Sequence, residues 1–85
     1  VRPGSHWTIE VFSDETEWLL EEVDVPGLLA REVREILNVS EDVDIRDGVF
    51  PLHGEPLRRI AERVGYRPVP GASFFLAYDG DGTLV

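Results

Sequence analysis

Pro26-Gly27-Leu28-Leu29-Ala30-Arg31-Glu32-Val33-Arg34-Glu35-Ile36-Leu37-Asn38-Val39 is the clearest amphipathic helix in the chain. At roughly 100° per residue, Leu29, Ala30, Val33, Ile36 and Leu37 fall on one side. Arg31, Glu32, Arg34 and Glu35 fall on the other. Pro26 suits the first helical position, where its missing N–H is not needed, and Asn38 suits a left-handed stop. A helix with one apolar stripe must bury that stripe, so the segments on either side are expected to supply a sheet.

Upstream, Trp7 to Phe12 alternates as a strand, with Trp7, Ile9 and Val11 on one face and Thr8, Glu10 and Phe12 on the other. Ser13-Asp14-Glu15-Thr16 has turn chemistry. Glu17 to Val25 admits two readings. A helix would start at Asp14, with Glu17 completing a capping box. A strand would fold back on the first, bringing Trp18 near Val11 and Leu20 near Ile9. Val23, Val25 and the following Pro26 favour the strand, and a short turn closes an antiparallel hairpin at low entropic cost.

Downstream, Ser40 to Asp47 is an acidic connection with a weak alternation at Val43 and Ile45. Val49-Phe50-Pro51-Leu52 is a short apolar run whose proline makes it an edge strand or an extended segment. Gly54-Glu55-Pro56 opens a second helix with Leu57, Ile60, Ala61 and Val64 at i, i+3, i+4 and i+7, and Gly65 stops it. Tyr66 to Gly71 is a loop. Ala72 to Tyr78 is the last strand, with aromatics on both faces, which predicts a central strand covered at least partly on both sides. The order is β-β-α-β-α-β. The expected fold is one small α+β domain over residues 7–85, with the N-terminal hairpin and the C-terminal strand in one sheet and the helices packed on it. Residues 1–6 resemble a protease-site cloning scar and are set apart as vector-derived or disordered.

The 85 residues suffice for one modest core, 42% of them hydrophobic. Cysteine is absent, which excludes disulfides and thiolate metal sites. No apolar run approaches the length of a membrane span and no secretory signal is present, so a cytoplasmic location without membrane association is expected. The net charge of −9 disfavours nucleic acid and favours a basic partner. All eight positive residues are Arg, which points to a GC-rich genome. A salt-adapted source would also favour an acidic surface.

Most motifs that suggest chemistry fail on inspection. Asp79-Gly80-Asp81-Gly82-Thr83-Leu84-Val85 resembles the first motif of the haloacid-dehalogenase-type phosphatases. That resemblance would make Asp79 the nucleophile and Asp81 the acid/base around Mg²⁺. In that family the strand opens a large α/β domain, whereas here only two residues follow Thr83. A polar turn is the simpler reading, and a truncated phosphatase is set aside. Asp42, Asp44, Asp47 and Gly48 suggest a calcium loop, but Arg46, Gly48 and His53 occupy its fifth, seventh and twelfth places. His53 lacks a partner for general-base work. Arg58, Arg59, Arg63 and Arg67 are expected to form internal salt bridges on a helix face. No catalytic residue, metal site or cofactor is assigned.

What remains is acidity. Asp14, Glu15, Glu17, Glu21, Glu22 and Asp24 form one series, and Glu41, Asp42, Asp44 and Asp47 form another. Together they are the candidate surface for a basic protein partner. Trp7 and Trp18 are both expected in the core, although either would be an interface anchor if exposed beside the acids.

Three stretches carry a resemblance. The first is an aromatic strand with Asp-Glu-Thr-Glu and an apolar pair (12–20), followed by Val-Pro-Gly (25–27). The second is Arg-Glu-Ile-Leu-Asn-Val with an acidic loop (34–44). The third is Phe-Pro-Leu (50–52), an apolar helix and Phe-Phe-Leu-Ala-Tyr (74–78). This combination resembles small acidic actinobacterial proteins similar to the immunity proteins of toxin systems. It implies a non-enzymatic inhibitor that occludes a basic toxin. The element order also resembles a ubiquitin-like β-grasp, which implies an adaptor domain of a larger protein or assembly. Val85 does not follow the Gly-Gly tail of the conjugating members of that family.

Overall fold

The computed structural model describes residues 6–45 and 48–79. The strands are β1 (His6–Ser13), β2 (Leu19–Val25), β3 (Val49–Leu52) and β4 (Ala72–Asp79). The helices are α1 (Ala30–Leu37) and α2 (Gly54–Val64), and the order along the chain is β-β-α-β-α-β. The strands form one sheet in the order β2-β1-β4-β3, with every neighbouring pair antiparallel. The fold is α+β, as the hydrophobic periodicity predicts.

One face of the sheet makes the core. Trp7, Ile9 and Val11 of β1 are buried there, opposite Tyr78, Leu76 and Phe74 of β4. Val25 and Val23 of β2 continue this layer on one side, and Phe50 and Leu52 of β3 on the other. Val33 of α1 and Ile60 of α2 are fully buried against it. Leu57, Val64, Ala30, Ile36 and Leu37 pack around them. Ile45 joins this core from the loop after α1, while Val43 stays exposed, so the weak alternation at Val43 and Ile45 anchors a loop and is not a strand.

The first helix is shorter than its amphipathic pattern. Pro26 and Gly27 form a turn, Gly27 at φ 78°, and Leu29 is the extended residue before the helix. The leading residues thus bring the chain off β2 and do not begin the helix. The Leu29 N–H donates to Glu32 Oε1 at 3.0 Å, which satisfies one of the helix's open donors. Asn38 ends α1 in the left-handed conformation, φ 57°, and Gly65 does the same for α2 at φ 70°. Glu32 also joins the helices. Arg63 of α2 donates to both of its oxygens, at 2.8 and 3.2 Å, and to the Gly27 carbonyl at 3.1 Å.

Two local expectations are corrected. His6, set apart with residues 1–5, is the first residue of β1, and its Nε2 lies 3.0 Å from Asp24 Oδ1. The hairpin register also differs from the expected one. Val11 stands opposite Glu21 and Ile9 opposite Val23, with a bulge between Val11 and Phe12. The expected pairing of Val11 with Trp18 and Ile9 with Leu20 is therefore displaced by an odd number of residues. An odd displacement exchanges the two faces of β2. It buries Val25 and half-buries Val23, and it puts Trp18, Leu19 and Leu20 in solvent.

Two outcomes follow from this packing. Ile60→Ala leaves a cavity under the sheet, and urea unfolding is expected to show a loss of about 2–5 kcal/mol. The Leu29 N–H, and then the Arg63 guanidinium, hold the Glu32 carboxyl below its ordinary value of 4.5. A lowered folded pKa contributes stability that is complete above the unfolded value and is lost as pH falls through the folded one. The stability gap between the wild type and Glu32→Gln should therefore be constant near neutrality. It should narrow as unfolding is measured at pH values descending below 4.5.

Candidate functional site

Both helices lie on the Trp7 side of the sheet, and the opposite face presents the alternate residues of every strand. Across it, Glu10 stands between Glu22 of β2 and Phe75 of β4, and Phe75 is followed by Pro51 of β3. Phe12 stands between Leu19 and Ser73, and Thr8 between Asp24 and Ala77. Phe12 and Phe75 are diagonal neighbours whose rings meet edge to face, with centroids 5.7 Å apart. Neither belongs to the core, and both are half-buried. The expected cover over the second face of β4 is thus not provided by either helix.

The β1–β2 turn rises over one end of this face, and short polar side chains build it. The Ser13 hydroxyl accepts the N–H groups of Glu15 and Thr16 at 3.2 and 3.1 Å, and the Thr16 hydroxyl accepts the Trp18 N–H at 3.2 Å. The Glu17 N–H donates to the Ser13 carbonyl at 2.8 Å, and the Ser13 N–H donates to the Trp18 carbonyl at 2.9 Å. This closure of Ser13 on Trp18 sets the hairpin register. The turn is tied to β4 by the Asp14 N–H on the Gly71 carbonyl at 3.0 Å and by the Ser73 hydroxyl donating to the Asp14 carboxylate. Glu17 adopts φ 65°, a left-handed conformation in which a side chain crowds the following carbonyl.

Turn and sheet enclose a groove of about 430 Å³. Phe12, Phe75 and Val49 give it an apolar lining, and Glu10, Asp14 and Glu17 supply carboxylates. Among the described residues, no cation of the chain pairs with Glu10 or Glu17. Among the described residues, no three His, Asp or Glu side chains converge as metal ligands either.

The first acidic series divides over this architecture. Asp14 and Glu17 line the groove, Glu15 is exposed at the turn, and Glu22 and Asp24 lie on the open face. Glu21 lies on the helix side, where it accepts the Tyr66 hydroxyl at 3.1 Å. Burial, reinforced by Glu21, raises the Tyr66 phenol above its ordinary range. Of the second series, Glu41, Asp42 and Asp44 are exposed in the loop after α1. The Ser40 hydroxyl bonds Asp42 and lowers its carboxyl. Asp47 lies outside the described residues.

Sequence reasoning missed Glu10 and the Phe12–Phe75 pair as site residues and expected Trp18 in the core. The available signal was the even spacing of Thr8, Glu10 and Phe12 against Ser73, Phe75 and Ala77. Three of the four arginines of the basic cluster are engaged internally, and among the described residues Arg67 has no ion pair. Arg58 pairs with Glu55 and Glu62, Arg59 with Glu35 at 3.6 Å, and Arg63 with Glu32.

A family profile described as a domain of unknown function, DUF7683, matches residues 6–77. The chain belongs to the DUF7683 family. No curated protein and no solved structure matches it. The DUF7683 match begins at the first residue of β1 and takes in the hairpin, both helices, β3 and the groove. Asp79, which ends β4 opposite His6, lies beyond the match, and Asp81 lies outside the described residues.

Glu17 gives a direct test of the turn. Glycine adopts its φ without a Cβ clash but loses more freedom on folding. Glu17→Gly is expected to raise the unfolding free energy by about 1 kcal/mol, measured in urea.

Proposed function

We propose that this protein is a non-enzymatic binding module that inhibits a basic protein partner by covering it, in the manner of the immunity proteins that the sequence resembles. The observation that carries this reading is Trp18. It is 77% exposed and stands at the head of β2, followed by the exposed Leu19 and Leu20. Asp14, Glu15 and Glu17 precede it, and Glu22 and Asp24 follow. Isolated exposed aliphatic residues are ordinary, but a largely exposed Trp followed by two exposed leucines is apolar surface that the fold leaves uncovered. Trp is the residue type most often found at the energetic centre of interfaces.

The surrounding carboxylates fit a specific role. Charge near an interface speeds encounter and selects the partner, while a desolvated aromatic supplies most of the affinity. With a net charge of −9, the module attracts a cationic surface and repels nucleic acid that would compete for it. A toxin that uses cationic residues on its substrate, a nuclease for example, presents such a surface. Glu41, Asp42, Asp44 and Asp47 would extend the same field beyond the hairpin. The proposed setting is the cytoplasm. Among the described residues, no helix is long and apolar enough to cross a membrane.

The test is titration with the purified product of the adjacent gene, followed by calorimetry at low and high salt. A complex is expected at low salt, with the association rate falling as salt screens the charges. Trp18→Ala should weaken it about thirty-fold, the equivalent of a ~2 kcal/mol hot spot. Since Trp18 is exposed, this variant should unfold at the wild-type urea concentration. Absence of a complex with that neighbour at low salt would refute the immunity reading.

A further inference from the structure

We propose that the groove between the β1–β2 turn and the open sheet face is a receptor for an arginine side chain. This rests on the binding reading above and names the group that the partner presents. The argument starts from the lining. Phe12 and Phe75 offer an edge-to-face pair, centroids 5.7 Å apart, as an apolar wall with aromatic faces. Glu10 stands directly across the strands from Phe75, so one carboxylate lies beside the ring. Glu17 and Asp14 reach the same groove from the turn.

The guanidinium ion fits each of these features. It is planar and weakly hydrated, so it stacks on an aromatic ring at little desolvation cost. It carries five N–H donors and no acceptor, and needs several carboxylate oxygens around it. Glu10 and Glu17 supply those oxygens without an internal cation to displace among the described residues. Asp14 is part-committed, since it already accepts the Ser73 hydroxyl. The three-carbon stem of arginine would lie against Phe12 and Val49. The volume of about 430 Å³ admits the side chain with some of its backbone.

Other occupants match less well. A lysine ammonium is a compact, strongly hydrated charge that gains less from an aromatic wall. A second copy of this chain brings another net charge of −9 to the same face. An anion meets three carboxylates.

The experiment is an NMR titration of the ¹⁵N- and Phe-ring-labelled full chain with three hexapeptides: hexa-arginine, hexa-lysine and hexa-citrulline. Hexa-arginine should saturably shift the Phe12 and Phe75 ring signals and the Glu10 and Glu17 amides. Hexa-lysine, of equal charge, should bind at least fivefold more weakly, and hexa-citrulline should not bind. Glu10→Gln should weaken hexa-arginine binding about tenfold. Glu41→Gln, the same charge change outside the groove, should alter it less than twofold. Phe75→Ala should abolish the preference for arginine over lysine. If Phe75→Ala lowers the unfolding midpoint, Glu10→Gln carries the test, because it preserves the shape of the groove. Equal binding of the arginine and lysine peptides would overturn the proposal, as would shifts spread evenly over the acidic surface, or equal effects of Glu10→Gln and Glu41→Gln. Each of those results leaves the Trp18 measurement with the neighbouring gene product intact. Failure of that complex with groove-specific arginine binding preserved would refute the inhibitor reading and not the pocket.

Discussion

Both helices, of eight and eleven residues, are held to one face of the four-stranded sheet by the apolar layer that the strands present there. That constraint organises the molecule. It makes β1 the hinge of the design, because each β1 residue must satisfy either a packed layer or an open one. Trp7, Ile9 and Val11 carry the core, and Glu10 and Phe12 face the uncovered side. The hydrophobic effect sets the first choice, since all three core residues lose nearly all contact with water. The second choice is free of helix packing at Glu10 and Phe12, both half-buried, although Thr8 on the same face is buried. On that face an aromatic pair and a carboxylate can be placed for a ligand without weakening the core.

The charge distribution follows the same division. On the helical side, Arg58, Arg59 and Arg63 are consumed within the molecule. Arg63 clamps Glu32 and the Gly27 carbonyl, Arg59 reaches Glu35, and Arg58 is shared between Glu55 and Glu62. Exposed pairs of this kind contribute little each. Their larger consequence is electrostatic. They neutralise the helical surface locally and leave the net negative charge concentrated on the hairpin, the open face and the loop after α1. The bidentate Glu32–Arg63 contact has a structural role as well, because it links the start of α1 to the end of α2, two elements that otherwise touch sparingly.

Legibility of the sequence ran parallel to burial. The stripes of α1 and α2, the alternation of β1 and the stops at Asn38 and Gly65 were readable because each is set by local periodicity or by backbone conformation. The edge position of β3 was readable from Pro51. The hairpin register was not, because it depends on a side-chain network, Ser13 to Glu15 and Thr16 and then Thr16 to Trp18, that closes a turn of definite length. One such error exchanges the faces of β2, and it is why Trp18 was expected in the core. The groove was illegible for another reason. Glu10 and Phe75 are distant in sequence, and only the antiparallel pairing of β1 with β4 sets them side by side. A series of acids along the chain says nothing about which of them share a face, so Glu21 was grouped with Glu22 although the two point to opposite sides of β2.

The edges of the sheet bear on where a partner can attach. An open edge is a template for pairing with any strand, and proteins block it in different ways. The β3 edge carries Pro51, which lacks a donor and obstructs every incoming strand alike. The β2 edge carries Glu21, Glu22 and Asp24 beside the exposed Leu19 and Leu20. Charge of one sign is a selective block. It opposes a second copy of this chain, which brings the same acids, and it admits a segment rich in arginine or lysine. On the binding reading proposed above, the β2 edge, Trp18 at its head and the groove behind its turn would each favour a cationic and partly apolar partner. A protein that needed only solubility could place its acids anywhere on its surface. Here Asp14, Glu15, Glu17 and Glu22 flank the exposed tryptophan and the half-buried phenylalanine pair, while Glu32, Glu35, Glu55 and Glu62 on the helices are matched by arginine.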